Sequence, residues 1–148
     1  ANGWVKRGKD INGEAAGDES GQSVALSHNG TIVAIGAWYN DGVNGTKSGH
    51  VRVYRWESSA WVLLGDDIDG EATNDQSGRT VSIDSAGNTV AIGGWRNDND
   101  NGQHAGHVRI YELEDNTGTA NSPTDTPTGS PTAFPTSSPT ASPTGSPT

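Results

Sequence analysis

Short apolar runs alternate with glycine- and Asn/Asp-rich stretches along the chain before Ser122. The run at Thr31–Ala37 is almost continuously apolar, which is typical of a strand buried on both faces. The segment Gly49–Trp56 alternates instead, and it places Val51 and Val53 on one face. With two further apolar stretches, the pattern predicts four strands, at Ser23–Ser27, Thr31–Ala37, Gly49–Trp56 and Trp61–Leu64.

The same pattern is written twice, with an offset of 57 residues and no gap. The segment WVKRGKDINGEAAGDESG, which begins at Trp4, recurs from Trp61 as WVLLGDDIDGEATNDQSG, and GHVRVY recurs as GHVRIY. No stretch has helical periodicity. We therefore predict an all-β fold of two tandem four-stranded antiparallel units similar to propeller blades, in residues 1–117 (units 4–60 and 61–117). The second unit's strands are predicted at Thr80–Asp84, Asn88–Gly94 and Gly106–Leu113.

Both units resemble a known family. The series SGQSVALS, TIVAIGAWYND and GHVRVY is similar to the FG-GAP repeat of integrin-alpha-type β-propellers, and the resemblance covers about residues 4–114. It departs from the family pattern where Trp38 and Trp95 replace a proline, and where Ser20 and Ser77 replace the phenylalanine of the Phe-Gly pair. The resemblance implies a β-blade fold and leaves the function open.

Two units are too few to close a propeller ring, which needs about four to eight blades. Three options are open: an excerpt of a longer array, a two-blade sandwich, or assembly between chains. The strand predicted at Trp4–Ile11, with Trp4, Val5 and Ile11 as its apolar residues, precedes the first unit, and no third copy follows Glu114. This strand has two possible partners. It completes the second unit of its own chain, or it completes the second unit of the next molecule, which gives a head-to-tail assembly of copies of the protein.

The segment from residue 118 to 148 has a different composition, with a proline at every fourth position. This density favours an extended polyproline II helix, which advances roughly 12 Å per four residues. Ser/Thr-rich sequence with proline is typical of O-glycosylated stalks, and a flexible linker is the alternative. The predicted O-glycosylation sites are Thr124, Thr128, Thr132, Thr136, Thr140, Thr144, Thr148, Ser122, Ser130, Ser138, Ser142 and Ser146.

The Ser-Pro-Thr repeats also resemble hydroxyproline-rich glycoproteins and the tails of algal surface proteins. That resemblance implies hydroxylated, sugar-bearing prolines at Pro123, Pro127, Pro131, Pro135, Pro139, Pro143 and Pro147. Two sequons, at Asn29 and Asn44, are candidate N-glycosylation sites, although Asn-Gly turns of this kind also occur without sugar.

Oxygen-bearing side chains at Asn97, Asp98, Asn99 and Asp100 precede a glycine, which resembles a calcium loop, and a solvated turn is the alternative. His50 and Arg52 recur as His107 and Arg109, so we predict a structural duty for them, such as strand pairing or bonding to Asp18 or Asp75. Trp38 and Trp95 follow the buried strands, where they cap a core or stack on a sugar.

The net charge of −9 disfavours nucleic acid as a partner, and there is no apolar run near the roughly 20 residues that a membrane span needs. The chain has no cysteine, no Gly-x-Ser-x-Gly and no His-Glu-x-x-His, so we predict no enzyme. The sequence favours an extracellular structural glycoprotein that assembles head to tail and carries covalent glycans. The alternative is a cell-surface adhesion or carbohydrate-binding module, with calcium as its candidate cofactor.

Overall fold

The computed structural model of the protein describes residues 2–114. These residues form two antiparallel β-sheets, and they contain no helix that could span a membrane. The first sheet consists of β1 (Ser23–Leu26), β2 (Ile32–Ala37), β3 (His50–Glu57), β4 (Ala60–Leu63) and β5 (Ile68–Asp69). The second consists of β6 (Ser77–Ile83), β7 (Thr89–Gly94) and β8 (His107–Glu112). The predicted glycosylated tail, residues 118–148, lies outside the described residues.

In the first sheet, both long edges of β3 are occupied. The strands follow the order β1-β2-β3-β4, and β5 also pairs with β3. On the edge that faces away from β2, β4 pairs with Tyr54–Glu57 and β5 pairs with His50 and Val51. The segment from Ala60 to Asp69 therefore covers this edge at both ends of β3.

The second sheet repeats the first three strands in the order β6-β7-β8. The register is the same in both sheets, because Val33 lies opposite Tyr54 and Val90 lies opposite Tyr111. The prediction of an all-β fold with two tandem antiparallel, blade-like units is confirmed. The second sheet has three strands within residues 2–114, because the sequence after Leu113 has no counterpart of β4.

The strand predicted at Trp4–Ile11 does not form in the single chain. These residues lie in irregular structure, and β8 pairs with β7 alone among the described strands. The alternative in which this segment completes the second unit of its own chain is therefore not found within residues 2–114. The physical reason is that a strand needs backbone hydrogen bonds to a neighbouring strand, and no described strand forms a backbone ladder with these residues.

The core lies between the two sheets. Its buried members from the first sheet are Ile32, Ala34, Val51 and Val53, and Val90 and Ile92 come from the second. Burying an aliphatic side chain of this size contributes about 1.5–3 kcal/mol, so the contact between the two units stabilises the fold. Half-buried residues pack around the core, at Leu64, Ile68, Val81, Ile83 and Tyr111.

Glycines allow the backbones of the two units to approach closely. A Cβ atom at Gly36 would lie 2.0 Å from the carbonyl oxygen of Gly78, and one at Gly70 would lie 2.0 Å from that of Ser48. No side chain fits at such a distance. The two units are therefore joined by backbone contact as well as by the apolar core.

Candidate assembly interface

The outer edge of β8 is the repeat equivalent of the β3 edge that the segment Ala60–Asp69 covers, and within residues 2–114 no strand pairs with it. Val51 and Val53 in β3 are 0% and 7% exposed, because the second sheet packs on them. Their equivalents Val108 and Ile110 in β8 are each 68% exposed. An open edge beside exposed apolar side chains is a template for strand addition. We call this surface, formed by β8 with Ala91, the open face.

The first unit carries the complementary apolar residues. Val81 and Ile83 in β6 pack against the core between the sheets. Their equivalents in β1, Val24 and Leu26, are each 57% exposed. The first unit thus presents to solvent the residue types that the second unit uses to pack against it.

A buried histidine and an arginine are held by two carboxylates in the first unit. His50 is 3% exposed, and its Nδ1 lies 3.8 Å from Glu14 Oε2 and 3.7 Å from Asp67 Oδ2. Arg52 bridges the same carboxylates, with Nη1 3.3 Å from Glu14 Oε1 and Nε 3.8 Å from Asp67 Oδ1. Asp67 comes from the segment that covers the β3 edge, so this segment contributes charge as well as backbone to the contact.

The second unit contains half of this cluster. His107 Nδ1 lies 3.6 Å from Glu71 Oε2, and Arg109 Nη1 lies 3.4 Å from Glu71 Oε1. No second carboxylate forms an ion pair with His107 or Arg109 within residues 2–114. The Nη2 atom of Arg109 donates a hydrogen bond to the Asp69 carbonyl instead, and its Nε atom is buried without a hydrogen-bond partner among these residues. An unpaired buried donor costs about 1–3 kcal/mol. The residue that repeats Asp67 in the sequence is Asp10.

The segment from Trp4 to Ile11 lies against its own unit without forming a strand. The Arg7 guanidinium is 4.5 Å from the ring centroid of Trp56, and the Arg7 carbonyl accepts a 3.1 Å hydrogen bond from Trp61 Nε1. Trp4 is fully exposed and Val5 is 90% exposed. The segment is held at its middle, while its two first apolar residues have no described neighbour that buries them.

The two tryptophans that follow β2 and β7 sit in unequal surroundings. The Arg79 guanidinium lies between them, 4.2 Å from the ring centroid of Trp38 and 5.1 Å from that of Trp95. Trp38 is 8% exposed and Trp95 is 51% exposed. Trp38 is therefore buried, whereas Trp95 is half exposed, and the Arg96 guanidinium also lies 5.3 Å from its ring centroid.

The predicted bonding of the histidines to Asp18 or Asp75 is wrong. These two aspartates are buried, and they accept hydrogen bonds from the amides of Asn40 and Asn97 at 3.2 and 3.0 Å. The histidine partners are glutamates and Asp67 instead. Glu14 and Glu71 also repeat at the 57-residue offset, and this repetition is the signal that would have found them.

In the predicted calcium loop, the side chains close turns. Asp98 Oδ1 accepts a 2.7 Å hydrogen bond from the His104 backbone, and Asn99 Oδ1 accepts one of 3.0 Å from Asn101. Asn97 is 4% exposed, and its amide donates to carboxylates. These bonds use one carboxylate oxygen of Asp98 and the single side-chain oxygen of Asn99. Calcium binding at residues 97–100, which include Asp100, stays a prediction.

One group of described residues has the spacing of a metal site: Glu14, His50 and Asp67. Calcium prefers six to eight oxygen ligands, whereas this group offers two carboxylates and an imidazole. The Arg52 guanidinium also bridges both carboxylates and already supplies a positive charge. The donor set therefore does not fit calcium, and the cluster is best described as a network of ion pairs.

The two predicted N-glycosylation sites are both exposed. At Asn29, Oδ1 accepts hydrogen bonds from the backbone and the hydroxyl of Thr31, at 3.0 and 2.7 Å. At Asn44, the Nδ2 atom, to which a sugar would attach, donates a 2.7 Å hydrogen bond to the Gly70 carbonyl. A sugar on Asn44 would therefore compete with a contact to the segment that begins the second unit. The predicted sites from Ser122 to Thr148 lie outside the described residues.

Two groups close to the histidine–arginine cluster titrate away from their usual ranges. Burial raises the pKa of Tyr54, against the opposing effect of the Arg52 charge. Burial also raises the pKa of Asp69, and the nearby His50 opposes this shift. Both pKa shifts have the same main cause, which is partial removal of these two groups from water.

Comparison with known proteins supports the repeat assignment. Residues 12–54 match the family model of the FG-GAP repeat, and the match ends within β3. No curated protein sequence matches the chain at a significant level. The FG-GAP repeat is a non-catalytic repeat of the β-propeller type and occurs in extracellular and cell-surface proteins. The first unit of this chain is therefore similar to an FG-GAP repeat, and the second unit repeats it 57 residues later.

Proposed function

We propose that the protein is an extracellular structural glycoprotein that assembles head to tail into a filament. One observation carries the proposal. The segment Ala60–Asp69 covers the edge of β3, whereas the equivalent edge of β8 is open within residues 2–114. The segment Trp4–Ile11 repeats the sequence of the covering segment and lies in no sheet.

Physical considerations favour covering the open face. Exposed strand edges lead to uncontrolled pairing unless something occupies them. Burying Val108 and Ile110, each 68% exposed, adds about 25 cal/mol for each Å² of apolar surface removed from water. The open face and the segment Trp4–Ile11 are different surfaces, so a contact between them is head to tail. The rotation that relates one copy to the next decides between a closed ring and a filament.

The tail supplies the glycoprotein part of the proposal. Its Pro-Thr pairs recur every four residues, which would distribute O-linked sugars around an extended chain. A sugar-coated tail keeps an assembled fibre hydrated and hinders its lateral aggregation. An extracellular location agrees with the proteins in which FG-GAP repeats occur.

A second candidate function is supported by one observation. Trp95 is 51% exposed, with the Arg96 guanidinium 5.3 Å from its ring centroid. An exposed aromatic ring of this kind is able to stack on a sugar. This favours the adhesion or carbohydrate-binding module, and binding of the monomeric protein to a glycan array, lost in Trp95→Ala, would support it.

Light scattering on the unglycosylated chain as a function of concentration tests the assembly. We expect the mass to rise in steps above the 15.3 kDa of one chain. The variant Val108→Lys/Ile110→Lys should remain monomeric, because it places two charges on the open face. It should still fold, since both positions are exposed in the single chain. The matched control is Val62→Lys, which is 43% exposed in β4 on the other sheet. A parent protein that stays monomeric at every concentration would refute the proposal.

A further inference from the structure

We infer that the contact between copies repeats, residue for residue, the contact between the two units of one chain. The open face of one copy receives residues 4–26 of a second copy, and Asp10 of the second copy reaches His107 and Arg109 of the first. This inference rests on the proposed self-assembly and specifies the surface that carries it. Three independent features of the described residues support it.

The first feature is a pair of matching apolar surfaces. Within the chain, Val81 and Ile83 pack against the core that Val51 and Val53 help to form. Their equivalents remain exposed at opposite ends of the repeat, with Val24 and Leu26 at 57% and both Val108 and Ile110 at 68%. Suppose that a second copy packs on the second unit in the way that the second unit packs on the first. This one contact then buries all four exposed residues.

The second feature is space for the backbone. A Cβ atom at Gly78 would lie 2.4 Å from the His50 carbonyl oxygen, and one at Gly45 would lie 2.1 Å from Thr73 Oγ1. The equivalent glycines, Gly21 and Gly102, have nothing within 4 Å of that position. The chain thus leaves room on each end for the close backbone approach that joins its two units.

The third feature is charge. In the first unit, Asp67 contributes a carboxylate to His50 and Arg52, and this carboxylate has no described counterpart at His107 and Arg109. Asp10 occupies the equivalent sequence position and its side chain is 75% exposed. Its described partner is Lys6, at 3.0 Å. Such an exposed pair contributes little to stability, so Asp10 is free to exchange it for the buried cluster.

The register of the contact follows from the first unit. There, Val51 lies opposite Ile68 and Arg55 lies opposite Val62. The 57-residue offset converts these pairs into Val108 opposite Ile11 and Glu112 opposite Val5 of the second copy. In this register Trp4 lies opposite Leu113, so the exposed tryptophan is also covered.

Cysteine cross-linking of the full chain tests the register directly, because the native sequence contains no cysteine. Opposed residues of antiparallel strands have Cα atoms about 4.5–5.5 Å apart, within the range that a disulfide bridges. Four single variants are made: Val5→Cys, Ile11→Cys, Val108→Cys and Glu112→Cys. Each N-terminal variant is mixed with each β8 variant, and the mixture is oxidised and run on a non-reducing gel.

We expect a cross-linked dimer from Ile11→Cys with Val108→Cys and from Val5→Cys with Glu112→Cys. The two crossed combinations serve as matched controls and should remain monomeric, as should each variant alone. Cross-linking of all four combinations, or of none, in a chain that light scattering shows to assemble overturns this inference and leaves the proposed function standing. Absence of both assembly and cross-linking refutes the two together, and a further unit of a longer chain then becomes the occupant of the open face.

Discussion

The side-chain amide of Asn97 donates a 3.0 Å hydrogen bond to the buried carboxylate of Asp75. Asn40 and Asp18 repeat this bond at 3.2 Å in the first unit. Both aspartates also accept a backbone N–H three residues upstream, from Ala72 and Ala15, at 2.9 and 2.8 Å. Each pair therefore ties the loop before a sheet to the loop after its second strand.

We expect the protein to lose stability when the side-chain amide of Asn97 is removed. Asn97→Ala leaves the Asp75 carboxylate with fewer partners, and a buried acceptor without its donor costs about 1–3 kcal/mol. Urea unfolding should show this loss at an unchanged m-value. Asn101→Ala in the adjacent exposed turn is the control and should change stability by less than about 0.5 kcal/mol. Equal effects of the two variants would show that the buried pair has no special role.

The contact of Gly36 with Gly78 gives a prediction about the joint between the units. A Cβ atom at Gly36 would overlap the Gly78 carbonyl oxygen, at 2.0 Å, so Gly36→Ala must push the two sheets apart. Overpacking of this kind costs about 1–3 kcal/mol or more. Gly3→Ala, where nothing lies within 4 Å, should leave the unfolding midpoint unchanged. A Gly36→Ala variant as stable as the parent would contradict the backbone contact.

The strands were largely predictable from the sequence, because alternation and apolar runs report burial directly. Ile32–Ala37 is buried at every position, as its continuous apolar run predicts. The repeat at 57 residues also identified the equivalence of the two sheets. These features depend on local pattern, which one sequence contains in full.

The partners within the histidine–arginine cluster were not predictable in the same way. Asp18 and Glu14 lie in the same loop, and both repeat in the second unit as Asp75 and Glu71. Which acid faces His50 depends on how the loop folds, and Asp18 turns back to the Ala15 backbone instead. The strand predicted at Trp4–Ile11 does not form for another reason. Its apolar pattern fits a strand, but no strand edge of the single chain pairs with it.

Asp84 gives a pH-dependent prediction. Its carboxylate accepts backbone hydrogen bonds from Thr89 at 2.9 Å, Asn88 at 2.7 Å and Ala86 at 3.2 Å. These bonds, that from Thr89 above all, hold the pKa of Asp84 below its usual value. The ionised group therefore stabilises the folded state above the unfolded-state pKa, about 3.9, and this stabilisation is lost as the pH falls through the lower folded-state pKa.

We expect Asp84→Asn to lower the melting temperature at pH 7, because the amide accepts these bonds more weakly than the carboxylate. The difference from the parent should shrink as the pH falls below about 4 and disappear once Asp84 is protonated in both states. Asp100→Asn, in an exposed loop of the same sheet, controls for the loss of one acidic group. A difference that is the same at pH 7 and at strongly acid pH would show that the charge of Asp84 is not its source.

Asp10 gives the sharpest prediction about assembly, because it lies in the exposed N-terminal segment and its replacement leaves the core intact. Asp10→Lys places a positive charge against His107 and Arg109 of the neighbouring copy. Loss of one partner of a buried charge pair costs about 2–5 kcal/mol, so self-association should weaken about 30-fold or more. Glu57→Lys makes the same charge change at the end of β3, with a side chain 50% exposed, and should leave association unchanged. Sedimentation velocity at several concentrations measures both, and if the two variants associate equally, Asp10 does not complete the cluster.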